Sequence, residues 1–256
     1  MVVSLGAARC VTRAVGCVVI TLGIETATQV VSVALGGDDG ILGIVEIISG
    51  RRHAETLTPA IEFVCRHARI AVADIGAIGV DVGPGLFTGM RVGIASAKAM
   101  AQALHVPLVG VCSLDLLAHP MRHSPKVIAS VIDARKGEVF YAFYLSSTDG
   151  VRRVSHPRAC SIDDFNADVL ARGQDVLAVG DGAHRYRDEL EHTIEIADLM
   201  HPSAGPLVQL ARTQALRGDT VEPSDCGQLG ADSANPDAVQ PMYLRAPDAQ
   251  INWTTR

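Results

Sequence analysis

The pattern of apolar and polar positions begins with three short runs rich in Val and Ile, each ended by Gly, Asp or small polar residues. Runs of this length and composition predict β-strands, and the short turns between them predict an antiparallel meander. The three predicted strands are Val18–Ile24, Val30–Leu35 and Ile41–Ile48.

An apolar stripe at spacings of four, three and four predicts a first helix over residues 54–69, formed by Leu57, Ile61, Val64 and Ala68. Two starts are open for this helix. Either Thr58 caps it and Pro59 takes the first position, where a missing N–H costs nothing, or the helix starts near Ala54 and tolerates the proline in an early turn.

A continuously apolar run, Ile75–Asp81, predicts a fourth strand that is buried on both faces. The glycine-rich turn Gly83–Gly89 leads into a second predicted helix over residues 89–105, with an apolar stripe of Met90, Ile94, Ala97, Ala101 and Leu104. Leu108–Val111 is a fifth strand, and Ser113 is expected to cap a third helix. This order of elements is that of a ribonuclease-H-like half.

The pattern then restarts in a shorter form. A second hairpin, a late strand and two helices are predicted at Val127–Ile132 with Glu138–Leu145, Val176–Val179, Tyr186–Ile194 and Leu207–Leu216. Residues 218–237 are rich in Asp, Gly, Ser and Pro and predict a loop. We therefore divide the chain into an extension at 1–17, expected to be flexible, a first subdomain at 18–122 and a reduced second subdomain at 123–256.

Composition and charge narrow the classes of protein to which this chain can belong. A net charge of -6 and a pI near 5.8 argue against a protein that binds nucleic acid alone, since phosphate neutralisation needs a basic face. The six cysteines form no CxxC pair, which favours reduced thiols over a zinc ribbon. No apolar run approaches the roughly 20 residues of a membrane helix. Arg9 and Arg13 interrupt the apolar stretch that a signal peptide needs, so we expect a cytoplasmic location.

Several longer strings resemble one family. They are GIETAT, RRHAETLTP, VGPGLFTGMRVGIASAKAMA, VPLVGVCSLDLLA, DARKGEVFYAFY, VGDGA and PMYLRAP, and they extend from about residue 19 to residue 247. The chain is identified by these strings as similar to the TsaB family. The resemblance implies an α/β fold of the actin and sugar-kinase superfamily, a duplicated ribonuclease-H-like fold whose halves clasp ATP, here with a reduced second half.

The resemblance also implies a role. TsaB-type proteins work with a catalytic paralogue, TsaD, and an ATPase, TsaE, to place threonylcarbamoyl on adenosine in tRNAs that read codons beginning with adenine. By this resemblance the chain is a non-catalytic scaffold that forms a homodimer when alone and meets tRNA only through the complex. ATP, ADP and metal would then belong to the partner subunits. An ATP-dependent kinase for a small metabolite is the alternative, and a metallopeptidase is less favoured.

The superfamily places an acidic residue in the first hairpin to organise magnesium and phosphates. Glu25 occupies that place, followed by Thr26, so these two residues are candidates for a vestigial nucleotide site, as are Asp133, Gly180, Asp181 and Gly182. If Glu25 has no role in nucleotide binding, it is simply part of a polar turn. If Asp133 has none, it simply forms an ion pair with Arg135 across the hairpin turn. The role of the turn from Asp133 to Glu138 stays open. For Gly83–Gly85 we favour close packing of strand and helix over anion binding, because Pro84 lacks an N–H.

Metal binding is not expected in this chain. Two histidines of TsaD correspond by position to Ser113 and Leu117, neither of which replaces an imidazole ligand. His119 and His123 are four residues apart but are separated by Pro120, so solvated surface histidines are the favoured interpretation.

A partner is expected to dock on the first two helices. Gly89, Gly93 and Ala97 recur at spacing four and permit close approach to the second helix. The predicted interface residues are Leu57, Ile61, Val64, Gly89, Met90, Gly93, Ile94 and Ala97. The structural alternative is that both helices simply cover the sheet, because a stripe alone does not say what lies against it.

Overall fold

The computed structural model describes residues 19–50, 52–148, 150–217 and 236–245, so the expectations for 1–17 and for most of the 218–237 loop fall outside the described residues. The first sheet has the strand order β3-β2-β1-β4-β5. Antiparallel pairing joins β1, β2 and β3, and parallel pairing adds β4 and β5. Its strands are β1 (Ile20–Glu25), β2 (Val30–Gly37), β3 (Gly40–Ile48), β4 (Ile75–Asp81) and β5 (Leu108–Val111).

The second sheet repeats this order. Its strands are β6 (Val127–Arg135), β7 (Glu138–Ser147), β8 (Gly150–Arg153), β9 (Arg158–Ser161), β10 (Val176–Val179) and β11 (Glu195–Ile196). The path β8-β7-β6-β10-β11 matches β3-β2-β1-β4-β5 strand for strand, and β9 adds a second partner for β7. The predicted duplicated fold is confirmed, and the second copy is reduced, since β8 has four residues and β11 has two.

Six α-helices complete the described chain: α1 (His53–Ala68), α2 (Phe87–Leu104), α3 (Ser113–Ala118), α4 (Ile162–Arg172), α5 (Asp181–Arg185) and α6 (Ala204–Arg217). Helices α1 and α2 pack on one face of the first sheet, and α6 packs on the other. A side chain at Gly23 or Gly79 would clash with α6, because an added Cβ would lie 2.9 Å from the Ala204 carbonyl oxygen or 2.6 Å from the Ala211 Cβ. Helix α6 thus covers the first sheet although it follows the second in the chain. In the described ranges, no helix is both long enough and apolar enough to span a membrane.

Most predicted elements of the first half lie where the pattern placed them, with corrections at helix starts. Helix α1 begins at His53, so the start near Ala54 with Pro59 inside the helix is right. Helix α2 begins at Phe87, two residues before the predicted start. Ser113 does not cap α3, because it is the first helical residue and its hydroxyl is used elsewhere.

The predicted helix Tyr186–Ile194 is wrong. Its residues Tyr186, Leu190 and Ile194 are buried at a spacing of four, which imitates a helical stripe. Only the short 3-10 helix Arg187–Glu189 forms there, and Asn166 of α4 holds the chain after it: its side chain donates to the Glu189 carbonyl (2.8 Å) and accepts from the Glu191 N–H (3.2 Å).

Five elements were not predicted at all: β8, β9, α4, α5 and β11. Helix α4 does carry a start signal, because the Ser161 hydroxyl accepts from the Asp164 N–H in a capping arrangement.

Candidate functional site

The turn between β1 and β2 lies directly against α2. The Thr26 hydroxyl donates to the Gly89 carbonyl at 2.8 Å, and both residues are buried. A Cβ on Gly89 would lie 2.1 Å from the Thr26 carbonyl oxygen, and one on Gly93 would lie 2.2 Å from the Thr26 Oγ1. The Leu86 N–H donates to the Ala27 carbonyl at 2.7 Å. The small residues of α2 therefore permit contact with the chain's own turn.

This contact corrects the residues predicted for partner docking. The apolar stripes of α1 and α2 lie in the core of the first half, and the glycines of α2 face the β1–β2 turn rather than a second helix. All of the residues predicted for docking are buried: Leu57, Ile61, Val64, Gly89, Met90, Gly93, Ile94 and Ala97. The physical reason is that the sheet needs an apolar cover, which these stripes supply. Docking of a partner on the two helices stays a prediction, but the exposed residues available there are others, such as Phe63 and Phe87.

Replacement of Gly89 by alanine tests the contact between α2 and the turn. We expect Gly89→Ala to lower the free energy of unfolding by about 1–3 kcal/mol, because the new methyl group meets a backbone oxygen that cannot move independently. Gly205→Ala on α6 is the matched control, since its Cβ would have no neighbour closer than 3.8 Å. Urea denaturation measures both, and equal stability of the two variants would contradict the close contact.

Two buried carboxyl groups lie at the ends of adjacent parallel strands, Glu25 on β1 and Asp81 on β4. Glu25 Oε1 accepts from the N–H groups of Ala27 (2.7 Å) and Thr28 (3.3 Å). The carboxyl group of Glu25 therefore occupies the backbone donors of its own turn. A phosphate bound at this turn would have to displace it.

Asp81 is held in a similar way. Its Oδ1 accepts from the Gly83 N–H at 2.7 Å and from the Ser113 hydroxyl at 2.6 Å. The second oxygen of each carboxyl group, Glu25 Oε2 and Asp81 Oδ2, has no hydrogen-bond partner among the described residues. Burial raises the pKa of Glu25 well above its ordinary value, and the nearby charge of Asp81 raises it further. Burial raises the pKa of Asp81 to about 7. Burial therefore favours the protonated, uncharged forms of both carboxyl groups.

The raised pKa of Asp81 makes stability depend on pH. Between about pH 4 and pH 7 the folded chain keeps a proton that the unfolded chain releases, so stability falls as pH rises. We expect the wild-type chain to lose on the order of 2–3 kcal/mol between about pH 5 and pH 8. Asp81→Asn removes the carboxyl group whose pKa is raised to about 7, so the loss should be markedly smaller. Glu62→Gln, at an exposed position of α1, should behave as wild type. Urea denaturation at both pH values measures the loss of stability, and an equal loss in all three proteins would refute the raised pKa of Asp81.

The residues singled out in the second half form their own cluster. The Asp133 N–H donates to Asp181 Oδ1 at 3.0 Å, and Asp133 itself pairs with Arg135 at 3.1 Å, as the structural alternative predicts. The Tyr186 hydroxyl donates to Asp133 Oδ1 at 3.2 Å. Burial raises the pKa of Asp181. These contacts hold α5 against β6, and the carboxyl groups of Asp133 and Asp181 both have partners within the protein.

The glycines beside this cluster allow the same close packing. A Cβ on Gly180 would lie 2.2 Å from the Val131 carbonyl oxygen, and one on Gly182 would lie 2.9 Å from the Ile132 carbonyl carbon. The candidate nucleotide residues thus fall into two groups, one in each half, and each group is held by local contacts. A role for either group in nucleotide binding stays a prediction.

The two positions that correspond to the metal-ligating histidines of TsaD carry no side chain that could bind a metal. The Ser113 hydroxyl donates to Asp81, and Leu117 is fully buried in an apolar cluster. Among the described residues, no group of three or more His, Cys, Asp or Glu side chains is placed to bind a metal ion. The absence of metal from the functioning protein stays a prediction.

The expectation of two surface histidines is wrong for His119. Its side chain is buried, and its Nε2 lies 3.2 Å from the Gln209 Oε1, while His123 is exposed. Burial lowers the pKa of His119. With Arg122, both histidines line a cavity of ≈ 440 Å³. His119 therefore packs against α6, a contact that the local sequence around Pro120 does not reveal.

The last described segment, residues 236–245, returns to the first half. The Met242 N–H donates to the Val82 carbonyl at 2.8 Å, and the Tyr243 hydroxyl accepts from Arg91 Nε at 3.0 Å. Arg245 donates to the Ala134 carbonyl at 3.2 Å and pairs with Glu138 at 3.1 Å. This segment therefore bridges α2 and the hairpin of the second half.

The repeated strand order, with three antiparallel strands followed by two parallel strands in each half, gives the chain the duplicated α/β fold that the family resemblance predicts. A family model described as TsaD, tRNA N6-adenosine threonylcarbamoyltransferase, matches residues 39–253. An uncharacterized Mycobacterium tuberculosis protein is 40% identical over 90% of this chain and 93% of its own length. The Escherichia coli tRNA threonylcarbamoyladenosine biosynthesis protein TsaB is 33% identical over 78% of this chain and 89% of its own length.

A solved structure agrees with these sequence relatives. A Pseudomonas aeruginosa protein described as similar to the peptidase YeaZ has a TM-score of 0.75 and 26% identity, and the match covers 89% of this chain and all of that one. The chain belongs to the TsaB family, within the domain family that the TsaD model describes.

Proposed function

We propose that this chain takes part in forming threonylcarbamoyladenosine in tRNA, as a non-catalytic subunit that binds a TsaD-like catalytic paralogue. The observation that carries the proposal is the similarity to Escherichia coli TsaB, whose name assigns that protein to this biosynthesis. A TsaE-like ATPase is the further partner. The chain contacts tRNA through the assembled complex, and nucleotide and metal are bound by the partner subunits.

The chemistry of the first half supports a non-catalytic role. The acidic residue at the end of β1, Glu25, is fully buried and bonded to its own turn, so it is not presented to a metal–phosphate group. Ser113 and Leu117 offer no imidazole where the catalytic paralogue has two. The same burial of Glu25 weighs against the alternative of a small-metabolite kinase, which needs an acidic group open to magnesium and phosphate.

The exposed surface at the start of α2 supports docking of a protein partner. The Arg91 guanidinium lies 3.8 Å from the centre of the Phe87 ring, and the Tyr243 ring lies 5.5 Å from the same ring. Phe87 is 50% exposed and Tyr243 is 46% exposed. Arginine and aromatic side chains dominate the energetics of protein interfaces. We name Phe87, Arg91 and Tyr243 the aromatic patch and propose that it contacts the TsaD-like partner.

Loss of the modified nucleoside tests the function as a whole. Depletion of this protein in its host should lower the threonylcarbamoyladenosine content of total tRNA, measured by mass spectrometry of tRNA nucleosides. A plasmid copy of the wild-type chain should restore the content. An unchanged content after depletion would refute the proposed function.

A paired substitution tests the aromatic patch. We expect Phe87→Ala combined with Arg91→Glu to weaken binding of the TsaD-like partner by about 100-fold, because both anchor side chains are removed. The matched control combines Leu170→Ala with Arg152→Glu, two exposed positions of the second half, and should bind as wild type. Calorimetric titration measures the affinity, and circular dichroism checks the fold. Equal affinities for the two double variants would exclude the aromatic patch as the interface.

The acidic charge of the chain leads to a further expectation about tRNA. The isolated chain should bind tRNA weakly, because a net charge of -6 offers few cations to phosphate. A gel-shift titration of the isolated chain and of its complex with the TsaD-like partner makes the comparison. Tight binding by the isolated chain at physiological salt would contradict the expectation.

A further inference from the structure

The cavity of ≈ 440 Å³ beside His119 lies where the two halves of the chain meet α6. Three segments line it, around His119 after α3, around Thr148 at the β7–β8 turn and around Thr213 on α6. Its volume falls in the range of small-molecule sites. The lining includes neither the candidate nucleotide residues nor the aromatic patch, so the cavity is a separate candidate site.

The cavity has a polar lining with a local positive charge. Among the described lining residues none is Asp or Glu, and one leucine of α6 is the single large apolar side chain. Arg122 brings a guanidinium group, and His119 and His123 bring imidazoles. The carboxyl group of Asp115, close to His119, is paired with Arg153 at 2.5 Å. In a chain with a net charge of -6, this lining favours an anionic ligand.

A buried nitrogen atom of His119 points to a ligand in this cavity. The residue is only 8% exposed, and its Nε2–H donates to the Gln209 Oε1 at 3.2 Å, which leaves the lone pair on Nδ1. Nδ1 has no hydrogen-bond partner among the described residues. It faces the cavity, because a Cβ on Gly150, which also lines it, would lie 3.8 Å from Nδ1. A donor bound in the cavity would therefore stabilise this atom.

Gln214 of α6 supplies a second acceptor of the same kind. Its Oε1 atom is buried without a hydrogen-bond partner among the described residues, and its side chain lines the same cavity. The two acceptors, His119 Nδ1 and Gln214 Oε1, need hydrogen-bond donors, whereas the Arg122 guanidinium needs a negative charge. Water would satisfy the acceptors alone. A small molecule that carries both hydroxyl groups and an anionic group satisfies both requirements.

The hydrogen-bond donors around the cavity come from separate segments. Arg122 follows α3, whereas the exposed hydroxyl groups of Ser147 and Thr148 lie at the β7–β8 turn. A phosphate group presents its oxygen atoms tetrahedrally, whereas the two oxygen atoms of a carboxylate lie in one plane. Donors from separate segments therefore fit a phosphate group better. A nucleotide fits less well, because no Phe, Tyr or Trp among the described lining residues can stack on a base.

We propose that this cavity binds a small hydroxylated phosphate of about the size of a sugar phosphate. The phosphate group lies at Arg122 and the β7–β8 turn, and hydroxyl groups of the ligand donate to His119 Nδ1 and Gln214 Oε1. Because the cavity is separate from the aromatic patch, this proposal does not rest on the proposed function. The lining comes from both halves and from α6, so a bound ligand would hold the three together.

Calorimetric titration of the full chain with ribose 5-phosphate, inorganic phosphate and ribose tests the site. Ribose 5-phosphate should bind with a Kd below about 1 mM, inorganic phosphate should bind more weakly, and ribose should show no binding. Arg122→Gln should weaken the binding of both phosphates at least about tenfold, because it removes the charge that meets the anion. Arg66→Gln, at an exposed position of α1, is the matched control and should bind as wild type.

Gln214→Met separates the two parts of the ligand. It removes one acceptor of the cavity with little change in side-chain length, so it should weaken the binding of ribose 5-phosphate and leave that of inorganic phosphate unchanged. Nuclear magnetic resonance of the histidine rings locates the ligand in the wild-type chain. Ribose 5-phosphate should shift the ring signals of His119 and His123 and leave the signal of His67, at an exposed position of α1, unchanged.

Several outcomes would overturn the proposal. Absence of binding by ribose 5-phosphate would leave the cavity to water. Equal affinities of Arg122→Gln and Arg66→Gln for the phosphates would show an adventitious ion only. Tighter binding of gluconate than of ribose 5-phosphate would assign the site to a carboxylate. Circular dichroism checks the fold of each variant, and if Arg122→Gln does not fold, unshifted His119 and His123 signals in the wild-type chain overturn the proposal by themselves.

Discussion

The contact between the β1–β2 turn and the start of α2 is the constraint on which the first half depends. The backbones of Thr26 and Gly89 come close together there, and the Thr26 hydroxyl donates to the Gly89 carbonyl. Because the helix lies this close, the Ala27 carbonyl can accept a hydrogen bond from the Leu86 N–H, which lies just before the start of α2. The same geometry closes the ends of β1 and β4 to solvent, which leaves the carboxyl groups of Glu25 and Asp81 buried inside the protein.

The apolar pattern predicted the first half well because β1, β2, β4 and β5 are buried on both faces and α1 and α2 carry stripes of regular spacing. Strands β4 and β5 lie where the pattern placed them. The same pattern could not say what covers a stripe. Leu57 and Met90 were predicted to face a partner, and they face the chain's own sheet. Periodicity reports that one side of a helix is apolar, and only the tertiary structure decides whether the cover comes from within the chain.

The second half was harder to predict for a physical reason. Its backbone is held in part by side chains, as where Asn166 bonds both Glu189 and Glu191, and such bonds leave no periodic trace. The candidate site shows a similar division. Glu25, Asp133 and the Gly180–Gly182 turn are visible as polar breaks after apolar strands. Asp81 was taken as the end of a strand, and its pairing with Glu25 emerges only when β1 and β4 lie side by side.

The aromatic patch joins residues from distant parts of the chain. Phe87 and Arg91 lie on α2, while Tyr243 lies 152 positions after Arg91 and close to the end of the 256-residue sequence. During synthesis, this surface is therefore incomplete until Tyr243, far downstream of α2, has left the ribosome. A partner that requires all three side chains would discriminate against chains that stop before Tyr243, so that assembly itself would act as a check on translation up to that residue.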